Sequence, residues 1–225
     1  VVYNDYKVVL IVIDVYDVPD TLLSDGNFAV SRTVEAISQA QVDWLIQQLK
    51  SIPSDYHLII ARHSGGGTTW TNDTCDWTMP TGKIESSVVG YECPVNEIIN
   101  AWVNGTSVKK EYSPLILAEY LPVISVDCDF TNRGNGIFAA YLMGHSHYDT
   151  IAHDAYGNLG VQLDCTANDN WQTHVSDLPR TRDGKQQDCI TVVGIDTKRR
   201  LIKLVRIGSD ITMTMVKRDI IAIPY

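Results

Sequence analysis

Two apolar runs and one amphipathic pattern organise the first third of the chain. Lys7–Ile13 and His57–Arg62 are rich in valine, isoleucine and leucine, which is typical of strands that are covered on both faces. Between them, Ser38 is placed to cap a helix, and apolar residues then recur at helical spacing. These residues are Val42, Leu45, Ile46 and Leu49. The order strand, helix, strand predicts an α/β sheet with the helix packed on it.

A third apolar run, Ile137–Met143, has the length of a buried strand. Alternating apolar and polar residues in Leu201–Ile207 and Ile211–Met215 predict half-exposed antiparallel strands near the end of the chain. Two more apolar runs accompany them, Cys189–Ile195 and Asp219–Ile223. We therefore predict a single α/β (α+β) domain over residues 1–225 with mixed sheets.

Composition and charge limit the classes of function. The chain has 225 residues and a formal net charge of −9, which argues against a nucleic-acid surface because phosphates are bound chiefly by clustered Lys and Arg. No stretch approaches the roughly 18 apolar residues of a membrane span, so no membrane is expected. The five cysteines form no Cys-x-x-Cys pair, and their odd number favours reduced thiols. The location is unknown from sequence, with the cytoplasm slightly favoured for a soluble chain of this kind.

Histidines follow two of the predicted strands. His63 comes directly after His57–Arg62, and Gly144-His145-Ser146-His147 follows Ile137–Met143. Loops at the carboxyl ends of strands in α/β sheets are where ligands and metals bind. In an extended segment, residues two apart project to the same side, so His145 and His147 can reach one small volume. Neutral imidazole is a common metal donor, and the pattern therefore predicts a metal site.

These motifs resemble the calcineurin-like metallophosphoesterase superfamily. A strand followed by His63 is similar to the fourth motif of that family, and residues 144–147 match its closing Gly-His-x-His motif. Gln41, Trp44, Leu45 and Leu49 also match a helical segment that precedes the fourth motif. The resemblance covers roughly residues 7–65 and 125–225. It implies a metallophosphatase-like four-layer α-β-β-α sandwich and metal-dependent hydrolysis of a phosphoester substrate, as in a phosphatase or phosphodiesterase.

The resemblance also implies a ligand set. His63 and His145 would bind one divalent metal ion and His147 the second of a dinuclear site, with Mn, Fe or Zn as candidates because the ligands are nitrogens. Asp149 is the expected carboxylate partner of a ligand imidazole. Arg133 is a weaker candidate, for contact with a phosphoryl oxygen. Asp14 and Asp17, which follow the first strand, are interpreted as turn residues instead of ligands.

The N-terminal motifs of the family, which supply its other ligands and its catalytic histidine, are not found. Gly-Asp and Asn-His pairs are absent from the chain, so no catalytic residue is assigned. We interpret the chain as the C-terminal portion of a larger enzyme, and its expected partner is the missing N-terminal part of the same protein. We expect the isolated chain to be weakly active or inactive.

The connection between the two histidine motifs is longer than compact members of the family need, which indicates an insertion at about 66–126. It contains a predicted helix, Val95–Val103, and several aromatic residues: Trp70, Trp77, Tyr91 and Trp102. Two roles stay open for the aromatic residues. They form a wall that faces a substrate, or they pack the insertion onto the body of the domain.

Two other functions compete with the dinuclear hydrolase. The absent motifs and the aromatic insertion are consistent with a non-catalytic structural or interaction module built on part of a hydrolase fold. A hydrolase with one zinc ion and three histidine ligands has the right number of imidazoles, but no convincing general base is found for it.

Overall fold

A computed structural model describes residues 1–31, 33–66, 70–72, 88–145, 150–163, 189–208 and 220–225. Its helices are α1 (Gln39–Ser51), α2 (Pro94–Asn104) and one 3-10 turn (Asn4–Tyr6). Its strands are β1 (Val2–Tyr3), β2 (Val8–Val12), β3 (Val34–Glu35), β4 (His57–Ala61), β5 (Trp70–Asn72), β6 (Val88–Val89), β7 (Ser107–Tyr112), β8 (Ile124–Asp129), β9 (Ile137–Met143), β10 (Thr150–Asp154), β11 (Leu159–Gln162), β12 (Cys189–Asp196), β13 (Leu201–Gly208) and β14 (Ile220–Pro224).

A seven-stranded mixed sheet is the centre of the domain, with the order β1-β2-β4-β9-β11-β10-β5. The four inner strands β2, β4, β9 and β11 all run parallel to one another. The flanking strands β1 and β10 are antiparallel to β2 and β11, and β5 is antiparallel to β10. The α/β class and the mixed character of the sheet that the sequence predicts are confirmed.

Helix α1 begins where the sequence predicts it. The Ser38 hydroxyl accepts a hydrogen bond from the backbone N–H of Gln41 at 3.1 Å, which satisfies one of the free donors of the first turn. Its buried stripe consists of the four residues that the sequence predicts: Val42, Leu45, Ile46 and Leu49. The stripe lies in one hydrophobic core with Ile11 of β2 and Ile60 of β4, so α1 covers one face of the sheet.

The inserted segment belongs to this same core. Ile98, Ile99 and Trp102 of α2 and Ile124 and Val126 of β8 are all fully buried in it. Strands β7 and β8 form a two-stranded hairpin beside the helices. For Trp102, and for the buried Tyr91, the packing role is therefore the observed one. The predicted end of the insertion, at about residue 126, falls inside β8. Trp77 lies outside the described residues.

A three-stranded sheet, β12-β13-β14, covers the other face of the central sheet. Ile202, Leu204 and Ile223 from this sheet pack in a second core with residues of the central sheet such as Ile59 and Val161. The described residues thus form three layers, with helices, a large sheet and a small sheet in that order. The predicted strand at 211–215 lies outside the described residues. None of the helices in the described part of the chain has the length and apolar character to cross a membrane.

Candidate functional site

His63 and His145 meet at the carboxyl edge of two neighbouring parallel strands. Strands β4 and β9 pair up to Ala61 and Leu142, and the ladder continues beyond them. The Arg62 N–H donates to the Leu142 carbonyl at 3.0 Å, and the Gly144 N–H donates to the His63 carbonyl at 2.9 Å. This continued pairing brings His63 Nε2 to 3.2 Å from His145 Nδ1. The structure therefore places two of the three predicted ligand imidazoles side by side.

The backbone of His145 has an unusual conformation. Its φ angle is +80°, in the left-handed region that a side chain with a Cβ seldom adopts. Such a residue costs on the order of 1–3 kcal/mol, which the surrounding fold has to offset. The two imidazole rings have centroids 5.1 Å apart and cross at 77°. The strained turn after β9 thus directs a ring against His63, and strain of this type is concentrated at functional sites.

The spacing of the two nitrogens fits ligation of one metal ion. A tetrahedral ion with metal–nitrogen bonds of about 2.0–2.1 Å holds its ligand nitrogens roughly 3.3–3.4 Å apart. The observed 3.2 Å is close to this distance, and it also suits a hydrogen bond between two neutral imidazoles. His147 and Asp149 lie outside the described residues. Within the described part of the chain, no group of three or more His, Cys, Asp or Glu side chains has the arrangement of a metal site.

An open cleft of about 920 Å³ adjoins His63 and is also lined by Asp14, Asp17 and Trp44. Asp14 Oδ1 accepts the backbone N–H of Tyr16 at 2.9 Å, and Asp17 Oδ2 accepts that of Ser38 at 3.1 Å. Asp14 thus makes a turn contact, as the sequence analysis expects, whereas the contact of Asp17 with the residue that caps α1 was not predicted. The two carboxylates outnumber the one basic side chain of the lining, Arg62, which favours cations in this cleft.

Arg62 is a central residue that the sequence analysis missed. Its side chain is buried, with Nη2 donating to the Gly65 carbonyl at 2.8 Å and Nη1 to Asn96 Oδ1 at 2.9 Å. The Asn96 amide in turn donates to Asp154 Oδ2 at 2.8 Å, so an asparagine bridges a buried cation and a buried anion. The guanidinium also lies 4.5 Å from the centre of the Tyr141 ring. These contacts fix the turn that follows His63. In the sequence, the position of Arg62 at the end of an otherwise apolar run is the feature that could have indicated a buried structural arginine.

Arg133 is not at this site. It precedes β9, whereas His145 follows it, so the two residues are at opposite edges of the sheet. The six residues from His57 to His63 along β4 correspond to roughly 20 Å at about 3.3 Å per residue. The Arg133 guanidinium donates to the carbonyls of Ile52 and Pro53 at 3.0 and 3.2 Å, and desolvation lowers its pKa. Its role in the structure is to satisfy the carbonyls at the end of α1.

One further triplet has the Asp-x-His spacing, Asp55-Tyr56-His57, and the sequence analysis gave it no role. It lies at the start of β4, at the edge of the sheet opposite His63. The Asp55 carboxylate pairs with Lys7, and His57 Nδ1 is 2.8 Å from the Tyr225 hydroxyl. This triplet therefore does not supply a ligand to the histidine pair.

Comparisons of the chain with protein-family profiles, with curated proteins and with solved structures found no match. The function therefore has to be argued from the geometry of the site and from the motifs of the sequence.

Proposed function

We propose that this chain carries part of the active site of a calcineurin-like metallophosphoesterase, with His63 and His145 as ligands of one divalent metal ion. The observation that supports this proposal is the 3.2 Å separation of His63 Nε2 and His145 Nδ1 at the carboxyl edge of β4 and β9. Manganese, iron and zinc are the candidate ions, because nitrogen donors suit them better than magnesium.

The motif residues outside the described part of the chain complete the proposal. His147 would be a ligand of a second ion, and Asp149 would accept a hydrogen bond from the N–H of a ligand imidazole and so hold its ring. A bound divalent ion supplies Lewis-acid stabilisation of charge on phosphoryl oxygens. The chain itself contributes the two imidazoles, the strained turn that directs His145, and the open cleft beside His63 into which an ester can enter.

The layers of the fold are compatible with this proposal. Helices, a large mixed sheet and a second sheet lie in that order, which corresponds to three layers of an α-β-β-α sandwich. The outer face of the small sheet leaves Ile190, Val192 and Ile207 about half exposed, at 52%, 50% and 54%. A sheet face of this apolar character is what a fourth layer would cover.

Metal analysis tests the proposal directly. The purified chain is loaded separately with Zn²⁺ and Mn²⁺, dialysed, and its metal content is measured by mass spectrometry at pH 7.5 and pH 5.5. We expect retained metal in the wild type and at least tenfold weaker binding in His63→Ala and His145→Ala. His57→Gln, a histidine at the opposite edge, serves as the matched control and keeps its metal. Binding weakens at pH 5.5 because ligand imidazoles have to be neutral. Equal metal content in all four proteins would contradict the proposal.

A non-catalytic interaction module is the second candidate. The observation that favours it is that, among the described residues, two imidazoles and no third ligand converge at the carboxyl edge. Hydrolysis of p-nitrophenyl phosphate and of bis(p-nitrophenyl) phosphate by the metal-loaded chain separates the two candidates. Even weak turnover that is lost in His145→Ala supports the enzyme, whereas a chain that neither retains metal nor turns over either ester supports the non-catalytic module.

A further inference from the structure

A second cleft lies at the amino edge of the central sheet, on the opposite side of the molecule from the histidine pair. It has a volume of about 320 Å³. Its walls come from the turn before β9, from the β10–β11 turn, from the β12–β13 turn and from β14. The lining residues with polar side chains are His153, Asn158, Arg200 and Tyr225. Neither His63 nor His145 lines this cleft, so it is separate from the histidine pair.

The charge of this cleft is opposite to that of the protein as a whole. The chain has a net charge of −9, yet the side chains that line the cleft include the guanidinium of Arg200 and no Asp or Glu. Within the described residues, the Arg200 side chain makes no hydrogen bond or ion pair. The acidic residues nearby have other partners, since Asp55 pairs with Lys7, Asp196 lies 3.4 Å from Lys203, and the Asp154 carboxylate accepts hydrogen bonds from Asn96 and Asn158. In the part of the chain that the structure describes, Arg200 is thus a cation that lines the cleft and is not paired with an Asp or Glu side chain.

Two polar groups stand next to this cation. Tyr225 lines the cleft, and its hydroxyl is 2.8 Å from Nδ1 of the buried His57. Desolvation, and then the positive charge of Arg200, lower the pKa of His57. The imidazole is therefore neutral at pH 7, and its Nδ1 can accept a hydrogen bond from the Tyr225 hydroxyl.

The remainder of the lining is apolar: Val103, Ile137, Phe138, Leu159 and Pro224. A volume of about 320 Å³ is at the lower end of the range for small-molecule pockets, which is roughly 300–1,000 Å³. Such a cleft accommodates a body the size of one aromatic ring. The flat guanidinium of arginine binds two oxygens of a carboxylate or a phosphate at once.

We propose that the amino-edge cleft is a binding site for a small organic oxyanion, a carboxylate or phosphate group on an aromatic or apolar body, with Arg200 as its counter-ion. The anionic group would contact Arg200, and the apolar body would pack against Phe138 and Leu159. This ligand is distinct from the phosphoester substrate proposed for the carboxyl edge.

Nuclear magnetic resonance of the histidine rings tests the proposal. Benzoate and phenyl phosphate are titrated separately into the protein labelled on its histidine ring carbons, with benzamide as the uncharged control. His57 and His153 report on the amino edge, and His63 and His145 report on the opposite edge. We expect a saturable shift of the His57 and His153 signals with one of the anions and binding at least tenfold weaker with benzamide.

Two arginines of the same turn provide a matched pair of variants. Arg200→Gln is expected to weaken anion binding at least tenfold. Arg199→Gln, whose side chain is 74% exposed and lies 3.9 Å from Asp196, is expected to change it by less than twofold. Tighter binding of benzoate identifies a carboxylate ligand, and tighter binding of phenyl phosphate identifies a phosphate. The proposal is overturned if neither anion shifts His57 and His153 saturably, or if Arg200→Gln binds as well as the wild type.

Discussion

Replacement of Trp102 by alanine tests whether the segment between the two histidine motifs is part of the domain core. The Trp102 side chain is fully buried, and its Nε1 donates to the Leu49 carbonyl of α1 at 3.0 Å. The Arg133 guanidinium lies 4.2 Å from the centre of its ring. Gly136 is so close that a Cβ there would be 2.4 Å from the indole. One side chain therefore joins α2, α1 and the start of β9.

The magnitude follows from these contacts. A buried aromatic side chain removes about 150–250 Å² from water, which at about 25 cal/mol per Å² corresponds to roughly 4–6 kcal/mol as an upper bound. Measured costs of Trp→Ala substitutions in cores are about 3–5 kcal/mol. We expect Trp102→Ala to lower the free energy of unfolding by about 3–5 kcal/mol, a large fraction of the 5–15 kcal/mol that is usual for a domain.

Urea denaturation followed by circular dichroism measures this loss. Trp44→Ala is the matched control, because Trp44 is on α1 and is 41% exposed. We expect the control to lose less than about 1 kcal/mol, as is usual for surface substitutions. The reasoning fails if Trp102→Ala loses no more than Trp44→Ala, since the inserted segment would then not share the core.

Three further predictions concern polar groups. Asn96→Leu removes the amide between Arg62 and Asp154. We expect the free energy of unfolding, measured by urea denaturation, to fall by about 2–4 kcal/mol, because both buried charges lose a partner. An unchanged urea midpoint would exclude this bridge. The lowered pKa of His57 means that the folded protein disfavours the protonated imidazole. The neutral imidazole therefore contributes its full stabilisation above pH 6.5, the ordinary pKa of histidine, and this stabilisation is lost as the pH falls below that value. His57→Gln should therefore lose less stability than the wild type between pH 7.5 and pH 5.5, and an identical loss would contradict the assignment. Ser38→Ala should cost about 1 kcal/mol through the lost helix cap, whereas no loss would show that other groups cap α1.

Hydrophobic periodicity was sufficient to predict some of the elements that build the core. Helix α1 and strand β9 have their predicted positions because a buried stripe and a long apolar run each allow one arrangement on a sheet. The approach of His63 to His145 was predicted for a similar reason, since both follow parallel strands and the carboxyl ends of such strands share one edge. The metal-binding role of these residues stays a prediction.

Residues whose roles depend on tertiary partners were not predictable from local patterns. The position of Arg133 depends on the direction of β9, because a residue before a strand and a residue after it lie at opposite edges. The bridge from Arg62 to Asp154 joins β4, α2 and β10, which are distant in sequence. Strand β8 was not predicted from the sequence, because only its pairing with β7 shows that this polar, alternating segment is a strand.

The 82 positions between His63 and His145 have a consequence for folding. All of α2 and the β7–β8 hairpin lie between the two imidazoles, so these side chains can meet only after the intervening chain has closed its loop. An ion held by both would act as a reversible cross-link that is present in the native state and absent from the unfolded chain. Its concentration would then set the melting temperature of the whole domain, which makes thermal unfolding a sensitive indicator of occupancy.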